Sequence, residues 1–269
     1  MRSLISVSIL TIITLQTIRS QTDTVFNQVD SKGLKQGFWK KNYPNGKLMY
    51  SGSFKDGKPV GEMRRYYNTG DLQALMKFDK TGEYAYAVLY YDTGDIAAKG
   101  KYHKEKKDSL WTYYSYYTGA ITTTENYTDG VKNGLEEHYY PNGQVSDEIL
   151  WVNDKKEGPW HQYFDDGTIK LNANYTNNMV NGGYKLYYPG GNPYILGQYI
   201  DNMRNGKWTF FDDNGKVKYV LNYKYGKAEN EEALIRQDSA FFKKVDENMG
   251  KFQEPSLEDF IRKDGGSGY

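Results

Sequence analysis

Between residues 37 and 228 apolar and polar residues alternate in short runs, and each run stops at glycine, asparagine or aspartate. A period of two marks half-buried β-strands, and turn residues this closely spaced leave room only for hairpins. One turn glycine recurs at Gly46, Gly70, Gly94, Gly119, Gly143, Gly167, Gly191 and Gly215, with every step 24 residues except one of 25. A leading glycine precedes it by nine residues at Gly37, Gly61, Gly134, Gly158, Gly182 and Gly206, and only the third and fourth copies lack it. Eight residues after the turn glycine every copy carries an aromatic: Phe54, Phe78, Tyr102, Tyr127, Trp151, Tyr175, Tyr199 and Tyr223. Two residues after it stands an aliphatic, from Leu48 and Leu72 to Val217, with Pro193 the exception. Self-similarity at a fixed period is the signature of a repeat architecture. The chain therefore holds eight copies of one unit, repeats 1 to 8.

Each unit is predicted to be a β-hairpin. Asn45-Gly46, Asn142-Gly143 and Asn214-Gly215 tolerate positive φ and are expected to form two-residue turns. A second turn, such as Asp56-Gly57 or Asp129-Gly130, leads into the next copy. About sixteen short strands joined by tight turns form an antiparallel meander, which at ~4.8 Å per strand extends roughly 75 Å unless it closes into a barrel. The expected fold is all-β: one elongated, twisted and curved sheet.

These residues carry a resemblance. The run Gly37-Phe38-Trp39 to Asn45-Gly46, with Gly158-Pro159-Trp160 to Gly167 and Gly206-Lys207-Trp208 to Gly215, each followed by an aromatic and a second turn, is similar to the MORN-repeat variant family. The resemblance covers residues 37–228. It implies a rod-like or half-pipe sheet, and a role as a platform for protein interaction or dimerisation. Bacterial members are often labelled antitoxin-like, and contact with lipid has been proposed for others. Repeats 3 and 4 depart most, since Ala85 replaces the leading glycine and an extra residue enters Trp111–Tyr117. A bulge or bend is expected there.

Counting outward from a two-residue turn assigns the faces. One face collects Tyr43, Tyr67, Tyr91, Tyr116, Tyr140, Phe164 and Tyr188, opposite the aliphatics two residues past each turn. It also collects Trp39, Trp160, Trp208 and the repeated aromatic, which faces the leading glycine of its own repeat; the missing Cβ is expected to leave room for the ring. This is the core face, and its aromatics are structural. The other face is polar, with Lys40, Ser51, Lys77, Lys101, Glu137, Asn174 and Lys185. A second aromatic row runs through it: Tyr66, Tyr90, Tyr139, Tyr163, Tyr187 and Phe211. An aromatic ladder on a polar face gives an extended ligand something to stack upon, whereas in the structural alternative the rings shield backbone and rest on lysine stems.

The flanks read differently. Arg2, the apolar stretch Leu4–Leu15 and Ser20 match a secretory signal over residues 1–20, followed by a linker over 21–36. No later segment approaches transmembrane length. After Lys227 the period ends and helix grammar begins: Asn230 can cap, Glu231 and Glu232 suit the first turn, and Gly250 ends it. Leu234, Ile235, Phe241, Phe242, Val245 and Met249 form an apolar stripe at helical spacing. Residues 229–269 are therefore expected to form a helix that covers the last repeat, or docks a partner, and then a flexible tail.

Composition narrows the chemistry. There are 27 Tyr and 28 Gly against seven Pro and no Cys, and the formal net charge is +1. Loss of residues 1–20 removes Arg2 and Arg19, so that 33 basic residues face 34 acidic ones, a net charge of −1. A chain this close to neutral has no electrostatic footprint for nucleic acid. Without cysteine there is no disulfide, thiolate nucleophile or Cys-ligated metal. His103, His138 and His161 show no ligand spacing, and Glu136-Glu137-His138 lies on a strand where neighbours point apart. No catalytic motif, metal site or cofactor site is expected. The leading reading is a non-enzymatic exported scaffold of the cell envelope that binds another envelope or secreted protein. A glycan- or polymer-binding module using the tyrosine ladder is the alternative, and an antitoxin-like role conflicts with export.

Overall fold

The computed structural model describes residues 25–229. All of its regular structure is β: twenty strands form a single antiparallel sheet. Sixteen have six to nine residues, from Lys35–Asn42 to Val217–Lys224, and four are two-residue pieces. Neighbours in sequence are neighbours in the sheet, and among the described residues no pairing joins its two ends. The expected open meander is therefore present. No helix among the described residues is long and apolar enough to cross a membrane. The signal segment, the linker as far as residue 24, and the C-terminal helix and tail from residue 230 lie outside the described residues.

The turn chemistry is distributed differently from the expectation. At the turn-glycine margin the loop has three residues: Tyr43 N–H donates to Lys47 O, and Gly46, with φ at +85°, donates to Tyr43 O. A one-residue bulge follows, so Asn42 faces Leu48 while Lys41 faces Tyr50. Loop and bulge together restore the register that a two-residue turn would have set, and Gly37 faces Phe54 as counted. Next to the turn the count fails. The aliphatic two residues past the glycine sits opposite the ladder aromatic, as in Tyr66–Leu72, Tyr90–Ile96 and Phe211–Val217, and not opposite Tyr43 and its equivalents.

The two-residue turns lie at the other margin, between repeats. Asp56-Gly57, Asp129-Gly130, Asn177-Asn178 and Asp201-Asn202 all have both φ angles positive, the I′ geometry that matches strand twist. These turns lock onto the start of their own repeat, since Asn178 N–H donates to Lys156 O and Lys156 N–H to the Asn178 side chain.

The leading glycine has a role other than the one expected of it. A Cβ at Gly37, Gly61 or Gly182 would meet nothing within 4 Å, so the ring opposite needs no extra room. What requires glycine is φ, +67° at Gly61, where two residues bulge from the ladder: Gly52 faces Met63 but Ser53 faces Val60. Ser109 takes the same conformation in repeat 4 at φ +60°. In repeat 3 Ala85 sits in a ladder that runs unbroken from Ala74–Leu89 to Phe78–Ala85, so the expected bulge is absent there. The two displaced residues pass into a longer loop, closed by Asp79 N–H to Tyr84 O, and the register beyond is unchanged. The residue inserted in repeat 4 is likewise absorbed by its turn, Ser115 to Ala120.

The core sits on the predicted face. One row runs across the sheet, apolar from Ala74 through Leu89 and Ala98 to Tyr113 and again from Leu171 through Leu186 and Ile195 to Phe210, with Thr123, His138, Asp147 and Gln162 between the two stretches. Two apolar clusters form on this face, one around Ala87, Ala98 and Trp111 and a larger one around Leu171, Tyr199, Trp208 and Leu221. Here glycine does make room: a Cβ on Gly197 would lie 2.3 Å from the Trp208 ring, and one on Gly100 would lie 2.4 Å from Trp111.

Candidate functional site

The polar face carries the predicted ladder. Tyr66, Tyr90, Tyr139, Tyr163, Tyr187 and Phe211 occupy equivalent strand positions beside the turn-glycine margin, all of them half-buried. Each faces the aliphatic of its own hairpin, or Pro193 in the case of Tyr187. Tyr114, opposite Ile121, belongs to the same row. The inserted residue of repeat 4 had aligned Tyr116 one place out, and this hid Tyr114. Of the aliphatics, Ile96, Ile121 and Val217 are exposed. Strand spacing places successive rings roughly 9–10 Å apart.

The row behind the ladder holds its backbone. The phenols of Tyr43, Tyr67, Tyr91 and Tyr140 donate to the carbonyls of Tyr66, Tyr90, Tyr114 and Tyr163, at 2.7, 2.7, 2.7 and 2.9 Å. Tyr188 does the same to Phe211 at 3.1 Å. Five of the seven residues expected in this row thus anchor backbone, at the turn margin and not against the aliphatics; Phe164 lacks the hydroxyl, and Tyr116 stands exposed in the turn of repeat 4, with Ser115 in the equivalent place.

A polar patch lies beside the ladder in repeats 4 to 6. Thr124, Glu137, Glu148 and His161 follow one another across four strands. Tyr139 and Thr124 donate to Glu137 Oε2 at 2.9 and 3.1 Å, and Tyr163 donates to Glu148 Oε2 at 2.7 Å. Burial and the Glu148 carboxylate push the Tyr163 phenol up to about 12. His161 Nδ1 lies 3.5 Å from the same oxygen. Two carboxylates thus face each other directly on the open side.

The core face holds a second polar group that sequence reasoning missed. Lys132 Nζ bridges Glu125 at 2.8 Å and Glu136 at 2.5 Å, and His138 Nε2 meets Glu136 Oε1 at 2.9 Å. Glu136 is 1% exposed. Burial works to raise its carboxyl, but the His138 bond and the Lys132 ammonium outweigh it and hold the group at about 2. Lys107 donates to the Tyr113 hydroxyl at 2.6 Å and lies 4.0 Å from Glu125, but burial outweighs that carboxylate and lowers it; its ammonium lies over Trp111, Tyr113 and Tyr127. Asp147, raised by burial, accepts from Trp160 and Gln162 through Oδ2, while Oδ1 is buried without a hydrogen-bond partner. The expectation that Glu136 and His138 form no joint site fails for a simple reason. Residues i and i+2 of a strand share a face, and Glu137 alone points away. This network separates the two apolar clusters. Among the described residues no group of three or more His, Asp or Glu is placed to hold a metal ion.

No curated protein matches the chain. The TarM crystal structure matches with a TM-score of 0.27 and 15% identity over 38% of this chain and 20% of that one. The pneumococcal O-GlcNAc transferase GtfA in complex with UDP and GlcNAc matches at 0.26 and 18%, over the same shares. The chain spans about a fifth of the length of either, and so low a score carries no argument about fold or activity. The model of the MORN repeat variant family matches residues 35–56, 132–153 and 204–225. Each matched segment runs from just before the leading glycine of repeat 1, 5 or 8 to just past its repeated aromatic, and the other five hairpins reproduce the same pairing across the turn. Repeats 1, 5 and 8 are thus similar to MORN-variant repeats, and the other five are hairpins of the same build.

Proposed function

We propose that this protein is a non-enzymatic, exported scaffold of the cell envelope, and that its polar face receives another envelope or secreted protein. One observation carries the reading: the core face is used by the molecule itself, while the polar face presents a row of half-buried aromatics edged with exposed aliphatics. Interface centres are enriched in rings of this kind. The family match supports a binding or scaffold role in general. Export rests on the charged and apolar pattern of residues 1–20.

The test is a cross-linking pull-down from the native cell envelope, with wild-type protein beside a Tyr90→Ser, Tyr139→Ser, Tyr163→Ser variant. One or two defined proteins should be enriched by the wild type and lost from the variant. Enrichment no better than a control bait, or unchanged in the variant, overturns the reading. The even ring spacing favours a second reading, a glycan or other polymer laid along the ladder, and retention of wild type but not variant on cell-wall polysaccharide would support it.

A further inference from the structure

We propose that residues 230–249 lie across the core face of repeats 7 and 8 and close it. The terminal strand of an open single-layer sheet has a neighbour on one side only, so its side chains should be the most exposed of their row. At this end the order is reversed. Trp208 is 1% exposed, Leu221 0%, Tyr199 2% and Tyr223 7%. At the other end of the same face Trp39, Tyr50, Met63 and Met76 are only half-buried, and so is Trp160 in the interior of the sheet.

Arg204 and the rings of Tyr184, Tyr199 and Tyr223 cover Trp208, but the described neighbours do not account for Leu221. Leu221 faces Trp208 on one side. Beyond its strand lies only Lys227–Ala228, which pairs with Lys224 and Tyr223 and stops short of Leu221. The chain leaves at this edge: Glu229 N–H donates to Asn222 O at 2.8 Å, and 40 residues follow. Among them are Leu234, Ile235, Phe241, Phe242, Val245 and Met249. As the helix their spacing predicts, Leu234 to Met249 measures ~24 Å. The five long strands from Ile169–Thr176 to Val217–Lys224 span about 19 Å from first to last. The segment thus has the length and the apolar side to cover the larger cluster, well beyond the last repeat alone.

The occupant can be identified in the full-length protein with a photo-reactive phenylalanine analogue at Phe241, and a control probe at Lys243 on the opposite side of the helix. Irradiation should join Phe241 to residues 207–223 of the same chain, and the Lys243 probe should give far less. Mixing heavy- and light-isotope protein separates adducts within a chain from those between chains. Adducts between chains would assign the cover to a second copy, and adducts on repeats 1 and 2, or none, would leave the cluster without this cover. Each overturns the proposal. In parallel, Phe241→Ser with Phe242→Ser should speed amide exchange in 217–224 at least tenfold while repeats 3 to 5 keep their protection. Unchanged exchange in 217–224 would contradict it.

Discussion

The phenol of Tyr67 donates to the backbone carbonyl of Tyr90, 2.7 Å away and 23 residues further along the chain. Tyr67 stands at the turn of one hairpin and Tyr90 in the ladder of the next, so the bond fixes the distance between successive rings of the polar face. Tyr67→Phe removes the donor without changing the packing of the ring. It should lower stability by about 1 kcal/mol, the net worth of one hydrogen bond, as read from a urea midpoint. Phe164 holds the equivalent place in repeat 6 without a hydroxyl, and Phe164→Tyr should raise the midpoint by a similar amount.

Gly61 separates two explanations for a repeated glycine. If φ at +67° is what matters, Gly61→Ala costs ~1–2 kcal/mol, and Gly61→Asn costs less because asparagine tolerates the left-handed region. If room for a ring were the reason, the larger asparagine would be worse. Thermal denaturation of the two variants side by side decides.

Gly197 presents the opposite case. Its φ is not positive, but a Cβ would sit 2.3 Å from the Trp208 ring. Gly197→Ala should cost at least ~1–3 kcal/mol, the usual range for overpacking a core, and should shift the Trp208 emission. A variant as stable as wild type, with unchanged fluorescence, would refute the close approach.

The core-face network predicts an acid limb. The Glu136 carboxyl lies at about 2 against an ordinary value of 4.5. A depressed carboxyl contributes stability that is complete above the unfolded value and lost as pH falls towards the folded one. Stability should therefore decline between about pH 4.5 and 2, and Glu136→Gln should flatten that decline while lowering stability at neutral pH.

Asp147 has the opposite sign. Its carboxyl is raised by burial, so the folded state gains relative stability as pH falls through the raised value and loses it as pH rises. Asp147→Asn should remove this component from the pH profile of unfolding. A profile identical to wild type would show that the Asp147 charge costs the fold nothing.

The sequence announced the repeats, the hairpins, the core face and the Gly37–Phe54 register, because glycine, asparagine and alternating aromatics leave so few other options. The turns were harder to read. A three-residue loop followed by a bulge gives the same distant pairing as a two-residue turn, so counting succeeded at Phe54 and failed at Leu48. Tyr114 was hidden by one inserted residue. Glycine at Gly61 and glycine at Gly197 look alike in sequence, yet one serves backbone φ and the other a neighbouring ring. The Lys132–Glu136–His138 group was legible only in part: the i, i+2 spacing was there, but Glu125 joins from another strand.

The two long margins of the sheet tolerate change unequally. At the turn-glycine margin, repeat 4 took in an extra residue and no strand beyond it moved. At the other margin the turns interlock with the strand starts, as Asn178 does with Lys156, so an added residue would break two contacts at once. Relatives of this chain should therefore vary by growing ornate loops along one margin and by gaining or losing whole hairpins, with the opposite margin kept trim as a spine.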